Sequence, residues 1–221
     1  QEWFSRRGWQ PRDHQLALLD HARRGRSVLL VAPTGGGKTL AGFLPSLIDL
    51  SETPKRSRAP GLHTLYISPL KALAVDVARN LETPVAEMGL GISVETRTGD
   101  TPAGRRQRQR HVPPDILLPT PEQLALLIAH SRADRLFANL KTVVLDELHA
   151  LYNSKRGDLL ALALARLSSL APDHRRVGLS ATVKDPLPLR RYLMPQPEAE
   201  EAYSELVEAK GRGLDLDLAG L

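Results

Sequence analysis

Two groups of residues in this chain have the types and spacing needed to handle a nucleoside triphosphate. The first is a glycine-rich turn at residues 32–39, within the stretch VLLVAPTGGGKT. Glycines allow backbone N–H groups to approach phosphate oxygens, and a following helix N-terminus favours negative charge. Lys38 can reach the β- and γ-phosphates, and the Thr39 hydroxyl can hold Mg²⁺. The predicted ATP-binding residues of this turn are Pro33, Thr34, Gly35, Gly36, Gly37, Lys38 and Thr39.

The segments on either side support a phosphate-binding loop over its alternative, a glycine turn before an ordinary helix. Residues 28–31 are a short apolar run typical of a buried strand, and residues 40–50 have the apolar spacing of a helix. A strand, a glycine turn and a helix in this order form a P-loop. One position departs from the general GxxxxGK[ST] pattern, because Ala32 stands at its first glycine.

The second group is the acidic pair Asp146 and Glu147, which ends the apolar run in VVLDELHA. In a Walker B arrangement, Asp146 holds Mg²⁺ and Glu147 polarises the water that attacks the γ-phosphate. The alternative is two solvated carboxylates at a strand end. The P-loop favours the catalytic interpretation, because both motifs then lie at the carboxyl ends of parallel strands. The predicted catalytic residues are Lys38, Asp146 and Glu147.

Strand and helix patterns alternate along the chain, which predicts an α/β fold. The fold is expected to have three layers, with helices covering both faces of a mostly parallel sheet. The predicted strands are residues 28–31, 62–68, 92–97, 115–118, 141–146 and 177–179. The predicted helices are residues 11–24, 40–50, 122–129 and 159–170, with one more that begins in SPLKAL and runs towards Met88. Residues 98–114 are predicted to be a long loop rich in arginine.

Composition limits the possible classes of protein. The chain has 221 residues, 42% of them hydrophobic, and a formal net charge of +5, which suits a polyanionic partner without requiring one. The absence of cysteine excludes disulfides and a thiolate zinc site. No apolar run approaches the roughly 18–20 residues that cross a bilayer. The start of the chain has neither a signal-peptide pattern nor Met, so we expect an excised piece of a cytoplasmic protein.

The motifs APTGGGKT, DELH and SAT, in this order, resemble those of the DExH-box helicases of superfamily 2. Gln15, SPLKAL, RTGD and TPEQL match further motifs of that superfamily. VVLDELHAL followed by KRGDLLALALARL is most similar to the large helicase-related (Lhr) branch, and within it to the bacterial ligase-associated group. The resemblance covers about residues 9–185 and implies a RecA-like P-loop NTPase fold.

The resemblance also implies individual roles. Gln15 is expected to read the adenine edge, and His149 to couple the ATP site to Ser180, Ala181 and Thr182, although His149 could equally be a packing residue. The residues expected to grip one nucleic-acid strand are Ser68, Pro69, Lys71, Thr98, Gly99, Asp100, Thr120, Pro121 and Glu122. The arginines of the predicted loop either add sequence-independent attraction to the strand or belong to a solvated loop; they are Arg105, Arg106, Arg108 and Arg110. Pro119 stands where related proteins have threonine, which removes a hydroxyl and an N–H donor.

At the level of domains, the resemblance implies a first RecA-like domain over residues 1–195. Residues 196–221 are expected to be an acidic connector and an extended segment that lead to an absent second RecA-like domain. The implied ligands are ATP, Mg²⁺ and single-stranded DNA or a DNA–RNA hybrid, unwound 3′-to-5′ in DNA repair. The implied partners are the second RecA-like and C-terminal domains, a DNA ligase and a nuclease, in the bacterial cytoplasm at the nucleoid and away from membranes.

Three alternatives remain open at this stage: an RNA helicase domain, a non-helicase P-loop NTPase, and a non-enzymatic nucleic-acid-binding module. Because helicases of this superfamily hold ATP between two domains, the present chain is expected to bind ATP–Mg²⁺ and single strands without unwinding.

Overall fold

The computed structural model describes residues 2–53, 61–194 and 204–209, which form one sheet flanked by helices. The strands are β1 (Val28–Val31), β2 (Thr64–Ile67), β3 (Val94–Arg97), β4 (Ile116–Pro119), β5 (Thr142–Leu145), β6 (Arg175–Ser180) and β7 (Glu205–Glu208). The helices are α1 (Glu2–Arg6), α2 (Asp13–Arg23), α3 (Lys38–Glu52), α4 (Lys71–Glu87), α5 (Ala103–His111), α6 (Pro121–Ile128), α7 (Ala133–Phe137), α8 (Leu148–Leu151), α9 (Lys155–Leu170) and α10 (Leu187–Leu193).

All strand pairs of the sheet are parallel, in the order β3-β4-β2-β5-β6-β1-β7. Alternate residues of each strand face two separate hydrophobic clusters. Leu29 and Val31 belong to the cluster that includes α6, α9 and α10, whereas Val28 and Leu30 belong to the cluster that includes α2, α3 and α4. Because both faces are covered, β1, β2 and β5 are buried along their whole length and consist mainly of apolar residues. The predicted three-layer α/β fold is confirmed.

The strand order brings the chemically important strand ends together. β1, β6 and β5 are neighbours, with Val31 paired to Ser180 and Leu145 paired to Gly178. The glycine turn follows β1, the acidic pair follows β5, and the SAT motif begins at the last residue of β6. All three therefore lie at the same edge of the sheet, where α/β folds bind ligands.

The prediction of a long loop over residues 98–114 is wrong, because residues 103–111 form the helix α5. This helix has no apolar stripe, so hydrophobic periodicity cannot reveal it. It is attached instead by polar contacts: the buried Gln109 donates to the Thr96 carbonyl at 3.1 Å and to Glu95 Oε2 at 2.9 Å. The short helices α1, α7, α8 and α10 were not predicted either.

The strand β7 lies in a segment interpreted from the sequence as an acidic connector. Glu205 N donates to Ser27 O at 2.8 Å, Ala209 N donates to Val31 O at 2.9 Å, and β7 pairs in parallel with β1. Leu206 and Val207 pack against the two opposite hydrophobic clusters, as alternating strand residues must. Residues 204–209 thus complete the sheet. Residues 196–203 and 210–221, including the predicted extended segment, lie outside the described residues.

Within the described ranges, no helix is long and apolar enough to cross a membrane.

Candidate functional site

The glycine turn after β1 adopts a conformation that side chains would obstruct. Gly35 and Gly37 have φ angles of 75° and 78°, in the left-handed region that glycine tolerates. Gly36 N donates to Pro33 O at 3.0 Å, and a Cβ at Gly36 would lie 2.7 Å from that oxygen. The turn is therefore closed tightly, with its backbone accessible to a ligand.

Lys38 occupies the inside of this turn. Its side chain is only 8% exposed, and Nζ donates to Ala32 O at 2.9 Å and Pro33 O at 3.2 Å. These carbonyls satisfy the ammonium when no phosphate is bound. A phosphate would offer the same ammonium charged acceptors, which form stronger hydrogen bonds than carbonyls do.

Two residues at the start of α2 hold the turn from one side. Gln15 Nε2 donates to Gly37 O at 3.3 Å, while Gln15 Oε1 accepts from Arg12 N at 3.0 Å. Arg12 Nη1 donates to Gly35 O at 3.2 Å. The structure therefore ties Gln15 to the P-loop; its contact with adenine stays a prediction. Arg12 was missed from the sequence, where the only local signal is its position three residues before Gln15.

A cavity of about 820 Å³ opens beside the turn. It is bounded by the start of α2, by the glycine turn and by β7, whose residues Val207 and Glu208, with Ala209, form one wall. The glycine turn itself contributes Pro33, Thr34, Gly35 and Gly36. This cavity is large enough for a small-molecule ligand, and β7 could not have been included in it from the sequence.

Asp146 lies at the opposite side of the P-loop and is 6% exposed. Burial raises the pKa of this carboxyl. Oδ1 accepts from Glu147 N at 3.0 Å. Nearby, the buried Tyr66 hydroxyl faces Asp146 and Thr39 without forming a hydrogen bond of normal geometry, and burial raises the pKa of Tyr66 well above its usual value.

This environment fits Mg²⁺. Asp146 and Thr39 both interact with the buried Tyr66 hydroxyl, so a carboxylate and an alcohol oxygen lie close to the same buried group. In the described residues, His, Asp and Glu side chains form no group of three or more that could hold a metal. Mg²⁺ needs no such group, because it is commonly held by one or two protein oxygens together with phosphates and water.

Glu147 is held in an unusual backbone conformation. Its φ angle of 47° makes it the one non-glycine residue with positive φ in the described ranges. Strain of this kind persists where surrounding contacts fix it, often at functional sites. Here Asp146 accepts the Glu147 N–H, and the Glu147 carboxylate lies 3.3 Å from His149 Nε2.

His149 connects this carboxylate to the SAT motif. Ala181 N donates to His149 Nδ1 at 3.3 Å, so in the neutral ring Nδ1 is the unprotonated nitrogen and Nε2 carries the proton. Nε2 lies 3.3 Å from the Glu147 carboxylate. Ser180 Oγ also lies 3.3 Å from Nδ1. The structure thus brings His149, Ser180 and Ala181 together as expected, whereas Thr182 is exposed and outside this network.

The predicted strand-contact residues separate into two groups. The first surrounds a cavity of about 340 Å³ at the end of β3, lined by Lys71, Thr98, Asp100 and Arg105. Lys71 and Asp100 form an exposed ion pair at 2.6 Å. Thr98 N donates to Thr101 Oγ1 at 2.9 Å, which closes the turn that also contains Gly99.

The second group is joined by Arg156, a residue of α9 that the sequence did not single out. Its Nε and Nη2 donate to the two carboxylate oxygens of Glu122 at 2.5 Å and 2.9 Å, and Nη1 donates to the Pro69 carbonyl. The Arg156 guanidinium lowers the pKa of Glu122 to about 2. Arg156 therefore links SPLKAL, TPEQL and the helix after the acidic pair. Ser68 and Thr120 of these motifs are buried, and Pro121 begins α6.

Pro119 costs the sheet no ladder hydrogen bond. Ile116 N donates to the carbonyl of Ser93, just before β3, and Thr120 N donates to the carbonyl of Arg97 in β3. The backbone N–H positions at the odd-numbered residues between them therefore face β2. Pairing with β2 is registered only at Ile116 and Leu117, and has ended before Pro119. A missing N–H is tolerated where a ladder has ended.

Comparison with known proteins gives consistent matches. A family model described as DEAD/DEAH box helicase matches residues 12–188. The Lhr helicase/probable uracil glycosylase of Mycolicibacterium smegmatis is 44% identical over 206 residues, which cover 88% of this chain and 14% of that protein. The ATP-dependent helicase Lhr-Core of Methanothermobacter thermautotrophicus is 36% identical over 228 residues, which cover 98% of this chain and 26% of that protein.

A solved structure of the helicase Lhr of Mycobacterium smegmatis, bound to ssDNA and AMP-PNP, superimposes with a TM-score of 0.82 at 40% identity. The match covers 95% of this chain and 27% of that one. The similarity to Lhr helicases confirms the predicted branch, while the narrower ligase-associated group stays a prediction. The chain spans only 14% to 26% of the two relatives' lengths.

Proposed function

Because the chain belongs to the DEAD/DEAH box helicase family, we propose that residues 1–195 are the first RecA-like motor domain of an Lhr-type helicase. In this proposal the domain binds ATP and Mg²⁺ beside β1 and takes a single nucleic-acid strand across the carboxyl ends of its sheet. The family match favours this interpretation over a P-loop enzyme of another kind and over a non-enzymatic binding module.

The observation that carries the proposal is the arrangement on β1, β6 and β5. These adjacent strands deliver the P-loop, the SAT motif and the acidic pair to one edge. There Ala181 N donates to His149 Nδ1, and His149 Nε2 lies 3.3 Å from the Glu147 carboxylate. Positioned groups of this kind can supply the electrostatic stabilisation that phosphoryl transfer needs.

Each residue then has a specific task. Lys38 exchanges the carbonyls of its own loop for phosphate oxygens, while Thr39 and Asp146 hold Mg²⁺, which neutralises developing charge on the phosphates. Glu147 orients the attacking water. His149, whose Nε2 lies 3.3 Å from the Glu147 carboxylate and whose Nδ1 accepts from Ala181 N, makes the position of the catalytic carboxylate depend on the SAT motif.

The activity of the whole protein is part of the proposal. We infer 3′-to-5′ movement on DNA and unwinding of DNA or DNA–RNA hybrids in repair, with RNA as the alternative track. Competition between unlabelled DNA and RNA strands of one sequence distinguishes these tracks. The second RecA-like domain, the bacterial cytoplasm and nucleoid, and a ligase or nuclease partner stay predictions from the resemblance.

The test of the ATP site is Lys38→Ala, measured by titration calorimetry with ATP and Mg²⁺. Losing a charge-assisted contact of about 1.5–3 kcal/mol is expected to weaken binding by at least about tenfold. Lys71→Ala is the matched control, because this exposed lysine lies at the other cavity. Equal ATP affinity in the two variants would show that the nucleotide binds elsewhere.

A further inference from the structure

The helix α5 carries four arginines that fall into two electrostatically different groups. Arg105 Nε and Arg108 Nη2 both donate to Glu95 Oε2, at 3.3 Å and 2.5 Å. Glu95 belongs to β3 and is largely shielded from solvent, with its side chain 13% exposed. Arg105 and Arg108 therefore share a carboxylate partner within the fold and serve to attach α5 to the sheet.

Arg106 and Arg110 form the other group, one helical turn apart and both half-buried. Across the ranges that the structure describes, neither has a carboxylate partner, and Arg110 Nε is buried without a hydrogen bond. Next to them is Arg97 of β3, which is 2% exposed. We call Arg97, Arg106 and Arg110 the arginine cluster.

Arg97 is bound only by neutral acceptors in the described part of the chain. Its Nη1 donates to the Arg106 carbonyl at 2.8 Å and to Gln109 Oε1 at 3.2 Å, while its Nε has no partner. Burial, together with Arg110 and Arg106, lowers the pKa of Arg97 to about 10. Buried charges in proteins are normally paired with an opposite charge.

A purely structural role explains only part of this arrangement. Arg97 does help attach α5 through Nη1, but neutral groups could do the same without placing a cation beside Arg106 and Arg110. Three guanidiniums without a carboxylate indicate that an anion from outside the chain completes the cluster. Arg97 directly precedes the turn at residues 98–101, which lines the cavity of the strand-contact segments. Arg105 also lines this cavity, but its guanidinium is already paired with Glu95.

We propose that the arginine cluster binds a backbone phosphate of the nucleic-acid strand, and that Arg105 and Arg108 take no part in binding. This inference rests on the proposed function, since the strand is the source of the phosphate. Of the two interpretations offered by the sequence, attraction of the strand then applies to Arg106 and Arg110. Arg105 and Arg108 do not contribute to that attraction. Guanidinium groups suit this ligand, because their forked donors match phosphate oxygens.

The experiment compares two variants that remove the same charge from the same helix, Arg106→Gln/Arg110→Gln and Arg105→Gln/Arg108→Gln. Arg97 Nη1 bonds the backbone carbonyl of residue 106, so this attachment survives the substitution. Circular dichroism verifies that each variant is folded. Binding of fluorescein-labelled oligothymidylate is followed by fluorescence anisotropy at increasing NaCl concentration.

Arg106→Gln/Arg110→Gln is expected to weaken binding on the order of tenfold or more, by removing charge-assisted contacts. It should also reduce the slope of log K against log[salt] by about 0.7, the value for one lost phosphate contact to a single strand. The affinity of the Arg105/Arg108 variant for the oligonucleotide should stay within about twofold of that of the unsubstituted chain. Equal losses in both variants would show that only net charge matters and overturn the proposal.

A second readout does not depend on strand binding. The melting temperature is compared in sodium phosphate and in NaCl of equal ionic strength, with all three chains measured. Phosphate bound at the P-loop raises the melting temperature of all three chains equally. Only the Arg106/Arg110 variant should therefore lose part of the rise in melting temperature that phosphate causes. If the unsubstituted chain bound no oligonucleotide, the proposed function would fail, and this comparison would still decide whether the cluster binds phosphate. An identical rise in melting temperature in all three chains would contradict phosphate binding by the arginine cluster.

Discussion

Polar side chains around the candidate ATP site differ in whether the folded chain provides them with hydrogen-bond partners. Lys38 and Gln15 are held by loop carbonyls. By contrast, the hydroxyl of the fully buried Tyr66 faces Asp146 and Thr39 without a normal hydrogen bond. An unsatisfied buried hydroxyl lowers stability, because it has lost its bonds to water. Such a residue is expected beside a ligand site, where a bound ligand or its water can form the hydrogen bond that the protein does not.

Tyr66→Phe is therefore expected to raise the free energy of unfolding of the ligand-free chain by about 1 kcal/mol. The ring stays stacked on Phe43, whose centroid is 4.4 Å away. The matched control is Tyr192→Phe, which removes a hydroxyl that donates to Gly157 O at 2.6 Å and should destabilise the chain. Urea denaturation measures both. A loss of stability in Tyr66→Phe would show that its hydroxyl is already bonded.

The Glu122–Arg156 pair leads to a pH-dependent prediction. The folded-state pKa of Glu122, about 2, is below its ordinary value of 4.5. Its contribution to stability is therefore present above pH 4.5 and is lost as the pH falls towards 2. Because Glu122 is half exposed, this contribution is at most about 1 kcal/mol.

Arg156→Gln should consequently destabilise the chain more at pH 7 than at pH 3, as measured by urea denaturation. The contact with the Pro69 carbonyl does not titrate, so its loss is equal at both pH values. Arg79→Gln, at an exposed position of α4, is the control for general charge effects. A difference that does not depend on pH would contradict the assigned role of the ion pair.

At the scale of elements, a close approach between the backbones of α8 and α9 fixes the position of these two helices after the acidic pair. Gly157 lies in the first turn of α9, where a Cβ would be only 2.0 Å from the Leu151 carbonyl oxygen of α8. Ser154 caps the same turn by accepting from Gly157 N at 3.1 Å. The short segment between Glu147 and Arg156 is therefore tightly constrained. It directly connects the candidate ATP site, which contains Glu147, to the candidate strand-contact segments that Arg156 contacts.

Gly157→Ala is expected to destabilise the chain by about 3 kcal/mol, because backbone atoms must move to admit the methyl group. Gly104→Ala provides the comparison, since its Cβ meets nothing within 4 Å on α5. There alanine should be neutral or stabilising by up to about 1 kcal/mol through helix propensity. Thermal and urea unfolding measure both variants. Similar effects at the two positions would contradict the close approach at Gly157.

The elements that sequence analysis predicted have a local signal. β1 and β5 are apolar runs that end in motifs of known chemistry, so both the strands and their neighbouring residues could be identified. α5 lacks an apolar face, and β7 looks like part of an acidic connector, so neither could be identified. Arg12 and Arg156 were missed for another reason: their partners Gly35, Pro69 and Glu122 are distant in sequence, and only folding brings them together.

At the scale of the whole molecule, the described residues leave the candidate ATP site open on one side. The candidate catalytic groups lie at an open edge of the sheet, beside an open cavity of about 820 Å³. In helicases of the resembled superfamily, a second domain covers this edge and supplies arginines to the γ-phosphate. Such an arginine contributes about 10³–10⁵ in rate in related phosphoryl-transfer sites.

We therefore expect the 221-residue chain to bind ATP while hydrolysing it near the background rate, even with saturating single-stranded DNA. Phosphate release measures turnover, and calorimetry measures binding. In a longer protein that includes the second domain, strand-stimulated hydrolysis should appear, and Glu147→Gln should abolish it while sparing ATP affinity. Robust strand-stimulated hydrolysis by the monomeric 221-residue chain would contradict the need for another domain.

The position of β1 between β6 and β7 has a consequence for the order of folding during synthesis. β1 leaves the ribosome early, yet Val28 pairs with Val177 and Glu205, which are made much later. β2, β4 and β5 pair among themselves over shorter separations and can form a partial sheet first. The growing chain should therefore acquire nucleotide affinity late, once β6 and then β7 flank the strand that carries the P-loop. Until then the edges of β1 remain open to mispairing, a period in which a chaperone would be most useful.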